Sequence, residues 1–210
     1  VFMILSQSSA IAADIAIRDN VGVQQVSYSK LRTALLAAGQ VLGDPLAASP
    51  STIVDNTDAG LVDLTGAWTS TDSTAGFIGA DYLHDGSTAG GKSVRFRLPP
   101  GVAGAQRVFI RWTSYANRAS NVPVKVNHEK GGTSVTVDQR SNGGKWNLLG
   151  IFKGVSSVVI GNDQADGYVI ADAVGFLAVA EADDTDADGM SDLREIELGL
   201  DPQVSNKPFI

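Results

Sequence analysis

The spacing of apolar and polar residues predicts helices in the first fifth of the chain. Over Ser6–Arg18 apolar side chains recur at helical spacing, and Asn20 marks the end of this predicted helix. A second helix is predicted over Tyr28–Ala38, with Ser27 as its N-cap. Two short helices cannot enclose a core by themselves, so residues 1–43 are interpreted as the helical remnant of a larger domain.

A long run of short, alternating or β-branched segments follows a proline-containing linker at residues 44–51. Turn-forming clusters such as Pro99-Pro100-Gly101 separate these segments, and no helical spacing interrupts them. Residues 52–179 are therefore predicted to form an antiparallel β-sandwich of the jelly-roll type, which makes the protein mainly β. The predicted strands are Val62–Thr71, Phe77–Leu83, Ser93–Leu98, Arg107–Thr113, Val122–Asn127, Thr133–Val137, Trp146–Phe152, Ser157–Ile160 and Tyr168–Val179.

The last stretch, residues 180–210, combines an acidic loop with a short predicted helix over Met190–Leu198. Gly199 is the expected end of that helix, and Pro202 prevents its continuation. This tail is expected to form a small element of its own after the sandwich.

Charge and cysteine content narrow the classes of function. The chain has 210 residues, a formal net charge of −7 and no cysteine. The negative charge argues against nucleic acid as a partner, because no basic stripe offsets phosphate repulsion. Without cysteine there are no disulfides, thiolate metal ligands or cysteine nucleophiles. No run of about 20 apolar residues occurs, so no membrane span is predicted. The start in mid-pattern at Val1 suggests a fragment of a longer chain.

The acidic segment Asp184–Glu195 matches the twelve-residue calcium loop of the EF-hand type. Carboxylates alternate at its first positions, a glycine permits the sharp turn, and the final glutamate offers two oxygens. Oxygen ligands suit Ca²⁺, whereas softer metals prefer histidine or cysteine. The predicted ligands are Asp184, Asp186, Asp188, Met190 through its carbonyl oxygen, Asp192 and Glu195.

The alternative interpretation of this segment is an acidic helix N-terminus, where carboxylates favour the helix dipole. That alternative explains one or two acids, but it does not explain a complete loop motif in register. Calcium is therefore the predicted cofactor, with a structural role in which the ion neutralises the carboxylates and fixes the tail.

Aromatic and planar polar side chains near turns make part of the sandwich a candidate glycan-binding surface. Aromatic rings stack on the C–H faces of sugars, while arginine and asparagine hydrogen-bond to hydroxyls or to an acidic sugar's carboxylate. The alternative is that the tryptophans fill the core and the polar groups brace loops. The candidate residues are Trp112, Tyr115, Asn117, Arg118, Arg140 and Trp146.

The sandwich region also carries motifs that are specific in combination. They include Val54-Asp55-Asn56-Thr57-Asp58, Gly79-Ala80-Asp81-Tyr82-Leu83-His84, Arg111-Trp112-Thr113, Asn117-Arg118-Ala119, Gln139-Arg140, Gly143-Gly144-Lys145-Trp146-Asn147 and Asp166-Gly167-Tyr168. Over about residues 52–178 they resemble the golvesin C-terminal-like domain, which is also found at the end of proteins named xanthan lyase. The resemblance implies a secreted β-sandwich that is regarded as carbohydrate-binding.

Two further resemblances concern the ends of the chain. Tyr28-Ser29-Lys30-Leu31-Arg32 and Leu35-Leu36-Ala37-Ala38-Gly39-Gln40 are similar to the last helices of FAD-dependent oxidoreductases that carry this module. No G-x-G-x-x-G motif occurs, so FAD is expected only if a missing upstream domain is present. The tail, with Gly199-Leu200-Asp201-Pro202, resembles the calcium loops of dockerins and thrombospondin type 3 repeats.

These observations favour a non-catalytic carbohydrate-binding accessory module of a secreted or cell-surface bacterial enzyme, with polysaccharide, neutral or acidic, as its partner. One alternative is a module that docks a protein partner or the cell surface. The other is part of an FAD-dependent oxidoreductase or a polysaccharide lyase. For lyase chemistry Tyr82 and His84 form the one tempting cluster, but local packing explains them, and no catalytic residue is predicted.

Overall fold

A computed structural model describes residues 2–38, 49–87, 90–180, 183–186 and 188–205. The chain divides into two compact units, one formed by Val1–Ala47 with Glu181–Ile210 and the other by Ala48–Ala180. Most of the predicted linker at residues 44–51, and Gly39 after the second helix, lie outside the described residues.

The first unit is helical. Its elements are α1 (Phe2–Asp19), a 3-10 turn (Val23–Gln25), α2 (Tyr28–Ala37) and α3 (Asp192–Leu198). Asn20 adopts a φ of 51°, which ends α1 where the sequence predicts. Helix α1 packs against α2, and Lys30 Nζ lies 2.8 Å from Asp19 Oδ2. Buried apolar side chains in this unit are Ala12, Ile15, Ala16, Leu35 and Ile196.

The second unit is an antiparallel β structure, as predicted. Its strands are β1 (Thr52–Asp55), β2 (Val62–Thr65), β3 (Thr69–Thr71), β4 (Tyr82–His84), β5 (Ser93–Arg97), β6 (Ala105–Arg111), β7 (Val122–His128), β8 (Gly131–Val137), β9 (Asn147–Lys153), β10 (Ser157–Gly161), β11 (Ile170–Ala171) and β12 (Ala173–Ala178). They form a four-stranded sheet in the order β1-β12-β6-β9, a five-stranded sheet in the order β2-β5-β10-β7-β8, and a three-stranded sheet in the order β11-β4-β3.

One core joins the sheets. Along β7 the valines 122, 124 and 126 are fully buried, and Lys125 between them is exposed. Such alternation is expected of a sheet with one face inside and one face in water. Val54, Phe96 and Ile110 come from different strands and belong to the same buried cluster. Burial of this apolar surface is the main favourable contribution to the stability of the sandwich.

Several strand bounds differ from the sequence-based ones. Gly66, with a φ of 78°, divides the predicted Val62–Thr71 strand into β2 and β3. Most of the predicted Phe77–Leu83 strand is loop, with Gly79 at a φ of 69°, and only its last two residues enter β4. The long C-terminal strand is interrupted at Asp172, and β1 had no counterpart among the predicted strands.

Within the described residues, no helix is both long enough and apolar enough to cross a lipid bilayer.

Candidate functional site

Arg118 is the centre of a polar cluster in the loop between β6 and β7. It is 8% exposed, and its backbone lies beside Tyr168 in an isolated parallel bridge. Ala119 N donates to Tyr168 O at 2.9 Å, and Tyr168 N donates to Asn117 O at 3.0 Å. Gly167 is required at this crossing, because an added Cβ would lie 2.8 Å from Asn117 O. Backbone hydrogen bonds therefore fix the position of Arg118 independently of its side-chain contacts.

The guanidinium of Arg118 is held by neutral acceptors. Nε donates to Thr113 O at 3.3 Å and Nη1 to Asn117 Oδ1 at 3.0 Å. Nη2 donates to Thr74 Oγ1 at 3.2 Å and to Tyr82 Oη at 3.1 Å. These bonds connect two loops and a strand, so Arg118 braces this end of the sandwich, as one of the two sequence interpretations predicts.

The positive charge of Arg118 affects its titratable neighbours. Burial raises the pKa of Tyr82, but hydrogen bonds with Ser73, Thr74 and Thr113 and the charge of Arg118 outweigh it, so the pKa is lowered. The pKa of His84 is lowered by burial and, secondarily, by Arg118. The neutral imidazole is thereby favoured; its ring lies edge-on to Tyr168 with a centroid distance of 5.5 Å.

Tyr115 is the exposed aromatic residue of this cluster. It is 61% exposed, and its ring centroid lies 5.9 Å from Arg118 Cζ, which is within cation–π distance. Asn117 next to it is exposed too. Arg118 thus supports one face of the Tyr115 ring, and an aromatic side chain and a planar amide lie together in water. Three of the six predicted ligand-binding residues, Tyr115, Asn117 and Arg118, are brought together here.

The structure corrects the expected position of Trp112. Its side chain is 3% exposed, belongs to the core cluster and donates from Nε1 to Ser141 O at 3.0 Å. Val108 and Ile110 precede it at alternate positions and are fully buried, so Trp112 continues the inner face of β6. A ring in this position cannot stack on a ligand, and the alternative core role applies.

Arg140 and Trp146 lie in other surroundings. Arg140 donates to both carboxylate oxygens of Asp138, at 2.9 and 2.7 Å. That bidentate pair lowers the pKa of Asp138 to about 2. Trp146 is half-buried; its ring centroid lies 5.9 Å from Arg111 Cζ, and its ring is close to Gly175 of β12.

Close loop packing supports this end of the sandwich. Gly143 N donates to Ser114 Oγ at 2.6 Å, and a Cβ on Gly143 would lie only 2.3 Å from Ser114 N. Gly144 N donates to Trp112 O at 2.9 Å, and its Cα approaches Gly76. The glycine pair that reads as a turn in the sequence is thus also the point where two loops touch.

The sequence interpretation missed a group of buried acids. Asp172 is fully buried and accepts from Ile78 N at 3.0 Å, while Asp55, 8% exposed, accepts from Thr57 N and Oγ1. Burial raises the pKa of Asp172 to about 7, and the charges of Asp55 and Asp81 act in the same direction. These acids are distant along the chain, and only the pairing of β1 with β12 brings them together, so no local signal could have identified the group.

The acidic loop of the first unit brings several carboxylates close together. Oxygens of Asp184, Asp186 and Asp188 lie within 4.8 Å of one another. Gly189, with a φ of 95°, makes the turn and donates to Asp184 Oδ2 at 2.9 Å. Burial raises the pKa of Asp186, and the neighbouring acids add to the effect.

The remaining predicted metal ligands lie beside this group in sequence. Asp192 and Glu195 are fully buried on α3, and Met190 is half-buried. Asp192 accepts from Thr185 N at 2.6 Å and from Thr185 Oγ1 at 2.7 Å. Asp186 Oδ2 is buried and has no hydrogen-bond partner within the described part of the chain. A buried, unsatisfied carboxylate oxygen among other hard oxygens fits a cation such as Ca²⁺.

Two xanthan lyases are similar in sequence to part of this chain. A xanthan lyase of Bacillus sp. (strain GL1) is 43% identical over 138 residues, which are 62% of this chain and 15% of that enzyme. The structure of a Paenibacillus xanthan lyase is 42% identical with a TM-score of 0.59, covering 64% of this chain and 13% of the enzyme. This chain therefore spans only a small part of either enzyme.

The solved structure of a carbohydrate-binding module is more distantly similar to this chain. The family 35 module from Clostridium thermocellum is 14% identical with a TM-score of 0.45, covering 61% of this chain and 99% of the module. The model of the golvesin C-terminal domain matches residues 52–178. That match covers more than half of the chain, and the protein belongs to the golvesin C-terminal domain family.

Proposed function

We propose that the sandwich is a non-catalytic carbohydrate-binding accessory module of a larger secreted bacterial enzyme. The observation that carries the proposal is the 43% identity to a segment that forms only 15% of a xanthan lyase. A segment that recurs as a small part of a polysaccharide-acting enzyme is suited to hold its substrate while another domain reacts.

Tyr115 and Asn117 are the proposed contacts. The exposed Tyr115 ring offers a flat apolar face, and Asn117 offers both a donor and an acceptor for sugar hydroxyls. Arg118 is assigned a positioning role, because its own N–H groups already donate to Thr113, Thr74 and Tyr82. Trp112 is excluded by burial.

Affinity electrophoresis of the full chain against neutral and acidic polysaccharides, including xanthan, tests this proposal. Retardation of the wild type should be lost in Tyr115→Ala and weakened in Asn117→Ala, since stacking supplies most of the contact. Ile53→Ala, which shortens an exposed apolar side chain on β1, is the matched control and should bind normally. If no polysaccharide retards the wild type, the carbohydrate proposal fails and the docking-module alternative becomes preferable.

We also propose that the acidic loop binds a structural Ca²⁺ ion. Asp184, Asp186 and Asp188 would supply the first carboxylate oxygens, with Glu195 from α3 completing the set. A bound ion would neutralise carboxylates that otherwise repel one another at short distance. The chain's own residues already position the loop, through the bonds from Thr185 to Asp192 and from Gly189 to Asp184.

Hydrogen exchange of residues 183–205, with calcium and with chelator, tests the ion. Exchange should be faster after chelation, because a ligand bound only to the folded state stabilises by about 2.7 kcal/mol at a hundredfold excess over its dissociation constant. Asp186→Asn should exchange quickly under both conditions. Asp201→Asn, which changes an exposed acid beyond α3, should respond like the wild type. Identical exchange of the wild type with and without calcium would refute the site.

The enzyme that carries the module is a separate proposal. The sequence resemblance of the segment before the sandwich supports an FAD-dependent oxidoreductase, and the similarity to xanthan lyases supports a polysaccharide lyase. In either case FAD or substrate chemistry would belong to a domain outside this chain. Flavin absorbance of the purified longer protein distinguishes the two.

A further inference from the structure

The outward face of the five-stranded sheet carries a row of charged residues. Hydrogen-bonding register places Asp63, Arg95, Val159, Lys125 and Ser134 side by side across β2, β5, β10, β7 and β8. Their neighbours along the strands, such as Val94, Phe96, Val124 and Val126, are fully buried. Because strand residues alternate, the row faces away from the core.

A shallow groove of about 460 Å³ crosses this face. We call it the sheet groove, and its lining includes Thr65, Ser93, Pro123, Lys125, Ser134 and Val159. Its volume falls in the usual range of small-ligand sites, roughly 300–1,000 Å³. The lining therefore presents hydroxyls, two apolar surfaces, the cations Lys92 and Lys125 and the acid Asp163, but no aromatic ring.

Two cations of this face, Arg95 and Lys125, lack acidic partners within the described residues. Asp63 is paired with Arg97, with Nη2 2.6 Å from Oδ2. Within the described residues neither Arg95 nor Lys125 makes an ion pair or a side-chain hydrogen bond. The stem of Lys125 lies over Gly132 of β8, which keeps the ammonium above the sheet. In a chain of net charge −7, this is a local positive surface.

The distance between the two cations suits a chain with repeated anionic groups. Arg95 and Lys125 flank Val159 on adjacent strands, so their backbones are two strand spacings apart, about 10 Å. Two carboxylates along one saccharide chain can occupy such positions while the chain lies on Val159 and Pro123. The hydroxyls of Ser93, Thr65 and Ser134 can then hydrogen-bond to the sugar.

We infer that the sheet groove, flanked by Arg95, binds a carboxylate-bearing polysaccharide. This inference rests on the proposed function and adds to it the chemical class of the ligand and a second contact surface. Charge complementarity selects the acidic saccharide, and the absence of an aromatic ring in the groove disfavours a neutral chain held by stacking. Asp163 lies at one end of the groove. In the same loop, Gln164 O accepts a hydrogen bond from Asn121 Nδ2, and Asn121 is close in sequence to Asn117.

Affinity electrophoresis of the full chain on polygalacturonate and on its carboxyl-reduced form tests the inference. The two polymers share a backbone and differ in charge. Retention on polygalacturonate should weaken about tenfold in Arg95→Gln and in Lys125→Gln, as expected for loss of one charge-assisted contact. It should also fall as salt is raised. Lys153→Gln, an exposed lysine on β9, is the control with the same change of charge.

Each other outcome has a definite meaning. Equal retention of Arg95→Gln, Lys125→Gln and wild type on polygalacturonate overturns the groove and leaves the proposed function intact. Retention only on the carboxyl-reduced polymer overturns the acidic ligand. Equal retention on polyglutamate overturns the saccharide and indicates an acidic protein segment. No retention on any polysaccharide removes the proposed function and this inference together. Melting curves of each variant verify that the sandwich is folded.

Discussion

Arg118 shows how the surroundings of one residue decide its role. Its sequence neighbours suggested a ligand contact as readily as a loop brace, because a guanidinium beside turns can donate either to a ligand or to loop acceptors. The structure gives it four neutral acceptors and 8% exposure. A buried charge satisfied in this way is costly to disturb, since its removal leaves the acceptors without donors.

Arg118→Ala is therefore expected to lower the stability of the sandwich by about 2–3 kcal/mol. Urea unfolding followed by tryptophan fluorescence measures the change. Arg140→Ala, which removes an exposed guanidinium that is bonded to nearby Asp138, should shift the midpoint little. Equal midpoints for Arg118→Ala and wild type would contradict the bracing role.

Asp172 makes the stability of the sandwich depend on pH. Its pKa in the folded state is about 7, above the value of about 4 in an unfolded chain, so the folded state holds a proton that the unfolded state releases. The stabilisation that Asp172 gives to the folded state is therefore complete at low pH, and it is lost as pH rises through the folded pKa. Between about pH 4 and pH 7 the free energy of unfolding should fall by up to about 1.4 kcal/mol per pH unit.

Asp172→Asn should remove this trend while keeping an acceptor for Ile78 N. Unfolding curves at several pH values between 4 and 8 should show the variant gaining stability relative to wild type as pH rises. Asp166→Asn provides a contrast of opposite sign. Hydrogen bonds from Ser120 lower the pKa of Asp166, so the stabilisation that ionised Asp166 gives to the folded state is lost as pH falls. Parallel pH profiles for Asp172→Asn and wild type would refute the prediction.

At the scale of elements, local patterns predicted most of the sandwich. Strands with clear alternation, such as Val122–His128, and the helix ends at Asn20 and Gly199 agree with the sequence. The missed strand, Thr52–Asp55, is short, and its place depends on pairing with β12 more than a hundred residues later. The sequence left Trp112 between a core and a ligand-binding role, because almost every residue of β6 is buried and the strand lacks the alternation that would decide its face.

The contact between the loops at Gly143 and Ser114 gives a prediction for a single element. Gly143→Ala would place a Cβ 2.3 Å from a backbone nitrogen, and relieving that overlap should cost about 1–3 kcal/mol. Gly161→Ala is the control, since its Cβ would lie 3.6 Å from Pro123 and should change stability by less than about 0.5 kcal/mol. Thermal unfolding of both variants checks the difference; similar loss in both would contradict it.

For the whole molecule, the division into two units predicts an independent sandwich. The core cluster runs from Val54 to Phe176, so a fragment of residues 49–180 should fold and unfold in one cooperative transition. A fragment of residues 57–180, which lacks β1 and the buried Val54, should be clearly less stable. Circular dichroism melting compares them. An unfolded 49–180 fragment would show that the sandwich needs the helical unit.

The pairing of β1 with β12 has a mechanical consequence. The two strands are antiparallel, with Thr52 opposite Phe176, so the chain enters and leaves the sandwich at the same end of one edge pair. A tension applied through the flanking segments would load the hydrogen bonds of that pair one after another, as in opening a zipper. The module should therefore yield to a small force, beginning at the edge strand, when the chain on one side is anchored and the chain on the other side is pulled.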